Sequence, residues 1–386
     1  CIGGKNGSSY TANQLSFITE EEIIMKKNTI INTLVLALGI SNTAIASDAY
    51  IESFETYAKE MQNFPGGEEL GKTINAYPEE VAKTQRQVGY IGKALALPEP
   101  TKVAEGVYTV IGSLIWHNPT NFGLNNNLTF IEFEDGVFVF NAGPNPAVAY
   151  SFHQQIKKIT NKPVKWVAVE NSQGHAYLGA SYWVDQGVKN LYSHSVANQD
   201  FHNGYKFIKK SWGDRVGHQI TETARDVSDK FTTFDDKITV EVGGGEIVEI
   251  LNFGPGHTPG STIVYLPKRN IVLPGDLAYN ERMLALFSYT NTQKWTETFE
   301  TFMNAMPKDV LVIPGHGSPT NMAKIKQDTY DYLKFMHAEV QKIINAGGSV
   351  EDTASIDQSA YKDRPVYEQT HKHNGVHIYK EFTGGD

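Results

Sequence analysis

Gly254-Pro255-Gly256-His257-Thr258-Pro259-Gly260-Ser261 is the stretch on which the reading of the fold turns. An apolar, β-forming run over residues 247–253 leads into it, so a strand is expected to deliver a histidine into a loop of glycines and prolines. Such a loop is stiff, and its glycines let other groups come close. Two later segments repeat the design, Leu273-Pro274-Gly275-Asp276 and Val312-Ile313-Pro314-Gly315-His316-Gly317. Upstream, Val169-Glu170-Asn171-Ser172-Gln173-Gly174-His175 supplies a fourth. In each, a short apolar strand is expected to end with a polar residue immediately beyond it.

Working outward, residues 107–111, 128–133 and 137–140 are β-rich, the last two joined by the turn Glu134-Asp135-Gly136. Residues 148–159 have a helical period, 166–169 read as a buried strand, 177–186 as a short helix and 190–193 as a strand. A second set follows. Strands are expected over 239–242 and 247–253 around Gly243-Gly244-Gly245, and over 262–266 and 271–273 around Pro267-Lys268-Arg269-Asn270. Residues 295–306 read as a helix, 310–313 as a strand, and 322–346 as one long amphipathic helix. Two β-rich halves with helices between and outside them predict an α/β fold, two packed sheets covered by helices in four layers.

Taken in order and spacing, GPGHTPGS, VLPGD and VIPGHG resemble the metallo-β-lactamase superfamily, from about Val107 to the helix after His316. The resemblance implies a four-layer αββα sandwich, with one or two metal ions at one edge, used mostly for hydrolysis. It implies that His257 is a ligand of a first metal, that Asp276 bridges two, and that His316 is a ligand of the second. The sequence departs from the family at its first motif, which is ordinarily His-x-His-x-Asp-His. Here it reads Gln173-Gly174-His175-Ala176-Tyr177-Leu178. Gln173 stands at the first histidine, His175 keeps the second, and Tyr177-Leu178 replace the Asp-His pair. Asn141 stands where the family has an aspartate that supports the ligands from behind, a job that ordinarily orients metal-bound histidines.

What remains is His175, His257, Asp276 and His316. Three imidazoles and a carboxylate are sufficient for one divalent ion, zinc first, with iron or manganese also suited. They are not sufficient for two well-held ions. Gln173 offers a weak carbonyl ligand or a hold on water. A metal with an open position lowers the pKa of water toward ~7, and Tyr177 or Asp276 is the stand-in for the lost aspartate as proton acceptor. The expected function is a metal-dependent hydrolase of an ester, thioester, lactone or amide bond, working at a mononuclear site. The alternative is a binding protein that kept the fold and lost the site. His371, His373 and His377 are expected in a solvated turn rather than a metal cluster, and His117 and His194 near the cleft.

Composition narrows the field. With 386 residues and 40% hydrophobic content the chain can build a large core, and its net charge of -9 argues against nucleic acid as a partner. A lone cysteine, Cys1, rules out an internal disulfide and a thiolate zinc site. No phosphate-binding loop, dinucleotide fingerprint or Gly-x-Ser-x-Gly elbow occurs. Met25-Lys26-Lys27, an apolar run over 30–40 and Ala44-Ile45-Ala46 read as a signal peptide over 25–46, cleaved before Ser47. Residues 1–24 then read as an upstream or non-native segment. Residues 47–103 read as a helical or irregular lead-in, 104–325 as the sandwich domain, and 326–386 as a C-terminal helix and tail packed on it. The expectation is an exported bacterial protein, periplasmic or secreted, that acts on a small molecule and has no membrane anchor after cleavage. Nothing in the sequence fixes its oligomeric state.

Overall fold

The alternation of apolar runs and turns resolves into two sheets. The computed structural model describes residues 97–118, 121–221 and 223–385, which belong to one unit running from Tyr77 to Asp386. The upstream segment, the signal peptide and most of the lead-in lie outside the described residues.

The first sheet holds β1 (Thr101–Ala104), β2 (Val107–Val110), β3 (Leu128–Glu132), β4 (Val137–Phe140), β5 (Val164–Ala168), β6 (Asn190–His194) and β7 (Phe231–Phe234), in that order. The pairing is antiparallel from β1 to β4 and parallel from β4 to β7. β1 thus brings residues 101–103, expected in the lead-in, into the sheet. The second sheet comprises β8 (Lys237–Glu241), β9 (Ile247–Leu251), β10 (Ile263–Leu266), β11 (Ile271–Tyr279), β12 (Leu311–His316) and β13 (Thr320–Asn321), ordered β13-β12-β11-β10-β9-β8.

Inward-facing Ile131, Phe138, Phe140 and Trp166 of one sheet meet Val248, Ile250, Val264, Leu273 and Ile313 of the other in a shared core. Each such side chain contributes about 1.5–3 kcal/mol on burial. Helices cover both outer faces. Pro146–Ile159 packs Phe152 against Phe130 of β3, and Thr292–Ala305 and Tyr332–Asn345 bury Trp295, Phe299, Tyr332 and Met336 against the second sheet. The four-layer αββα sandwich is therefore the fold.

Four local differences from the sequence reading have physical causes. β11 and β12 run through Pro274-Gly275-Asp276 and Pro314-Gly315-His316 instead of stopping before them, because parallel pairing continues at Gly275 with Pro314 and at Tyr279 with His316. The expected helix over 322–346 contains a π-helical turn, Lys326–Asp331. That turn aims Asp328 at the backbone N–H of Glu281 and Thr329 at both the N–H and the carbonyl of Tyr279. The tail is a helix, Tyr367–Thr383, rather than a solvated turn. Its Asn374 is buried and donates to the Leu284 carbonyl, while His373 and His377 bond the carbonyls of Leu286 and Thr290. The long helix Ser195–Val216 had no counterpart in the reading, because its buried Ala197, Phe201, Trp212 and Val216 are sparse among polar residues.

His153, on the helix Pro146–Ile159, rests its Nδ1 2.8 Å from the Tyr182 hydroxyl. Burial, aided by Lys157, lowers its pKa from 6.5 to about 3. The unfolded chain binds this proton below pH 6.5 and the folded one does not, so stability falls as the pH drops from 6.5 toward 3. The loss reaches about 2 kcal/mol at pH 5 from this one group. His153→Gln is expected to flatten the acid limb of a urea-melt series between pH 7 and 4; an unchanged slope would assign the limb to other groups.

Candidate metal centre

Among the described residues, His175, Asp276 and His316 form a buried group whose ligand atoms all lie within 4.8 Å of one another. β11 supplies Asp276 and β12 ends on His316, so their parallel pairing sets these two side by side. His175 comes from the short helix Gly174–Tyr177, which follows β5. Asp276 is the hub. Its Oδ1 lies 3.1 Å from His316 Nε2, and its Oδ2 lies 3.4 Å from His175 Nε2 and 3.6 Å from His257 Nε2. His257 thus stands beside the group without joining its common contact distance.

Two glycines make room for the carboxylates. A Cβ on Gly315 would come within 2.5 Å of Asp276 Oδ1, and one on Gly275 within 2.2 Å of Glu170 Oε2. This explains the glycines of the PGD and PGHG strings more sharply than a turn would.

Glu170 is the buried carboxylate behind His175, with its Oε1 3.2 Å from His175 Nε2. Side-chain amides of Asn126 and Asn141 donate to the same oxygen, and Asn141 Oδ1 accepts from the Glu170 N–H. An aspartate at 141 could not donate and would add a second charge there. The carboxylate missing at 141 has in effect moved one strand over, to residue 170.

Electrostatics follow from this burial. Burial and the charge of Asp276 push the Glu170 carboxyl up. Burial works against a charge on Asp276, yet His316 and His175 hold its carboxyl well below the usual range. Burial lowers His257 and His316 to about 4, so both imidazoles are neutral near pH 7. Burial also opposes a charge on His175, but Asp276 and Glu170 outweigh it and raise that group.

The donor set fits a divalent cation. His175 Nε2, His257 Nδ1, Glu170 Oε2 and both Asp276 oxygens are buried without a hydrogen-bond partner. Buried polar atoms left so are costly, and an ion among His175, Asp276 and His316 would satisfy those of His175 and Asp276.

The remaining expected residues stand as follows. Gln173 Nε2 lies 2.9 Å from His257 Nε2 and 2.6 Å from the Tyr289 hydroxyl, bridging the two. The Tyr177 hydroxyl donates to Asn198 and its ring stacks on Phe201, so the structure does not bring it to the cluster. His117 stacks on Trp212, whose ring stands edge-on to His175. His194 caps the helix Ser195–Val216 by accepting from the Val196 N–H. Two residues went unread. Glu170 had a signal, its place just past β5, whereas Arg282 had none. Arg282 is 1% exposed and sets its Nη1 3.1 Å and 3.2 Å from the two ring nitrogens of His316.

The family model of the metallo-beta-lactamase superfamily matches residues 121–316, just over half of the chain, and the match takes in all four expected ligands. The chain belongs to this superfamily. Metallo-beta-lactamase IND-1 of Chryseobacterium indologenes is 25% identical over 193 residues, which cover 49% of this chain and 71% of that protein. Among solved structures, a metallo-beta-lactamase from Pontibacter korlensis superposes with a TM-score of 0.49 at 19% identity, covering 61% of this chain and 98% of its own. TMB-1 does so with a TM-score of 0.46 at 16% identity, covering 61% and 97%. Of the positions that depart from the family pattern, Asn141 bonds Glu170 and Gln173 lies at His257, whereas Tyr177 turns away to Asn198.

Proposed function

We propose that this superfamily member is a metal-dependent hydrolase of an ester, thioester, lactone or amide bond, with one divalent ion, zinc first, held by His175, Asp276 and His316, and His257 beside them. The observation that carries this reading is the cluster within 4.8 Å, in which His175 Nε2 and both Asp276 oxygens lack hydrogen-bond partners. A divalent ion there supplies Lewis-acid polarisation and acidifies water. The chain's own residues do the rest. Glu170 and Asp276 both face His175 Nε2, Gln173 bridges His257 and Tyr289, and the Asp276 carboxylate would anchor the ion. Phe287 and Trp295, with ring centroids 5.4 Å and 5.5 Å from that of His257, keep bulk water from its flank.

Protein purified without chelator and dialysed against zinc is expected to retain about one equivalent by elemental analysis. Less than about a tenth of an equivalent, with iron and manganese giving the same, would sink the reading. A hydrolysis screen over generic esters, lactones and β-lactams then identifies the bond. The binding-protein alternative draws on the commitment of the Tyr177 hydroxyl to Asn198. It requires His257→Ala to leave ligand binding unchanged.

A further inference from the structure

The stretch over residues 280–291, between β11 and the helix Thr292–Ala305, forms neither helix nor strand, and the tail helix Tyr367–Thr383 satisfies much of its backbone. His373, His377 and Glu381 recur every four residues, so they share one face of that helix. His373 Nε2 bonds the Leu286 carbonyl and His377 Nε2 the Thr290 carbonyl, each at 2.9 Å. Glu381 accepts from the N–H groups of Thr292 and Gln293, at 2.9 Å and 3.0 Å. A carbonyl can only accept, so His377 carries its proton on Nε2.

Thr290 is where this brace meets the centre. It is buried, and its hydroxyl donates to the His257 carbonyl at 2.8 Å while accepting from the Phe287 N–H at 3.1 Å. His377 holds the other end of the same residue, its carbonyl. A short path of two hydrogen bonds and one residue thus joins the tail to a histidine whose Nε2 lies 3.6 Å from Asp276.

We infer that His377 is a positioning residue for the metal centre: from the tail helix it holds Thr290, and through Thr290 it keeps His257 in place beside Asp276. This rests on the metal reading above and deepens it by extending the supports of the centre to the tail.

The test is zinc affinity, by titration against a chromophoric chelator, with the melting temperature of each metal-free protein read alongside by circular dichroism. His377→Leu removes the donor, and His377→Gln keeps one near the place of Nε2. Thr290→Val removes the hydroxyl and keeps the shape. His377→Leu and Thr290→Val are each expected to weaken zinc binding about tenfold, the scale on which supports behind a ligand act, with His377→Gln within about twofold of wild type. The double variant His377→Leu/Thr290→Val is expected to lose no more than Thr290→Val alone, since both substitutions cut one path. A merely structural His377 would lower the melting temperature and leave zinc affinity where it was. Unchanged affinity in His377→Leu, with wild type holding zinc, overturns the inference and leaves the metal reading standing. A double variant whose losses multiply also overturns it, because the two residues would then act apart. If Thr290→Val does not fold, the two variants at 377 decide alone, and equal losses in both overturn the inference. No zinc in wild type overturns the inference and the metal reading together.

Discussion

Asp276→Ala is expected to strip the centre of its metal and, with it, any hydrolytic turnover. The carboxylate lies within 3.6 Å of three imidazoles, and it is the one residue common to all of them. Metal affinity should fall by about a hundredfold or more, since even residues one contact removed from a metal cost about 10–100-fold. Asp276→Asn separates charge from shape. His316 and His175 hold the Asp276 carboxyl well below the usual range, so the folded chain favours the charge, and the metal-free asparagine variant should melt no higher than metal-free wild type while holding less zinc. A variant that keeps its zinc would show that Asp276 serves the fold rather than the centre.

Gly275→Ala should be strongly destabilising. Gly275 has φ +56°, and an added Cβ would meet Glu170 Oε2 at 2.2 Å and Glu170 Cβ at 2.7 Å. Glu170 has little freedom to move away, because Asn126 and Asn141 hold its carboxylate. The left-handed backbone costs about 1–2 kcal/mol for a residue with a Cβ, and overpacking about 1–3 more. Urea melts should show a loss of about 3 kcal/mol or more. Adding Glu170→Ala should recover about 1 kcal/mol by removing the carboxylate but not its Cβ. Purely additive losses would mean that the two residues do not meet.

Much of the site was legible because its residues sit in strings that chemistry marks. His257, Asp276 and His316 each follow an apolar run, and each is a residue type rarely buried without a task. Where strands end was not legible. Pro274 and Pro314 look like stop signals, yet both strands run on, with the Pro314 carbonyl accepting from Asn127 and β11 pairing across at Gly275. Arg282 was invisible because its role depends on where a loop folds, and no spacing in sequence encodes that. The tail was misread because its inward residues are polar. Asn374 and His377 bury themselves on backbone carbonyls, so no apolar stripe announces the helix.

That tail helix also imposes an order of assembly. Its contacts with the carbonyls of Leu284, Leu286 and Thr290 hold the segment whose Thr290 hydroxyl grips the His257 carbonyl. Ribosomes deliver the ligand residues before this brace, so a nascent chain carries every donor before it has a finished wall around them. Metal captured at that stage would meet a looser, wetter donor set than the one described here. Changes in the tail helix therefore bear on the step that completes the centre.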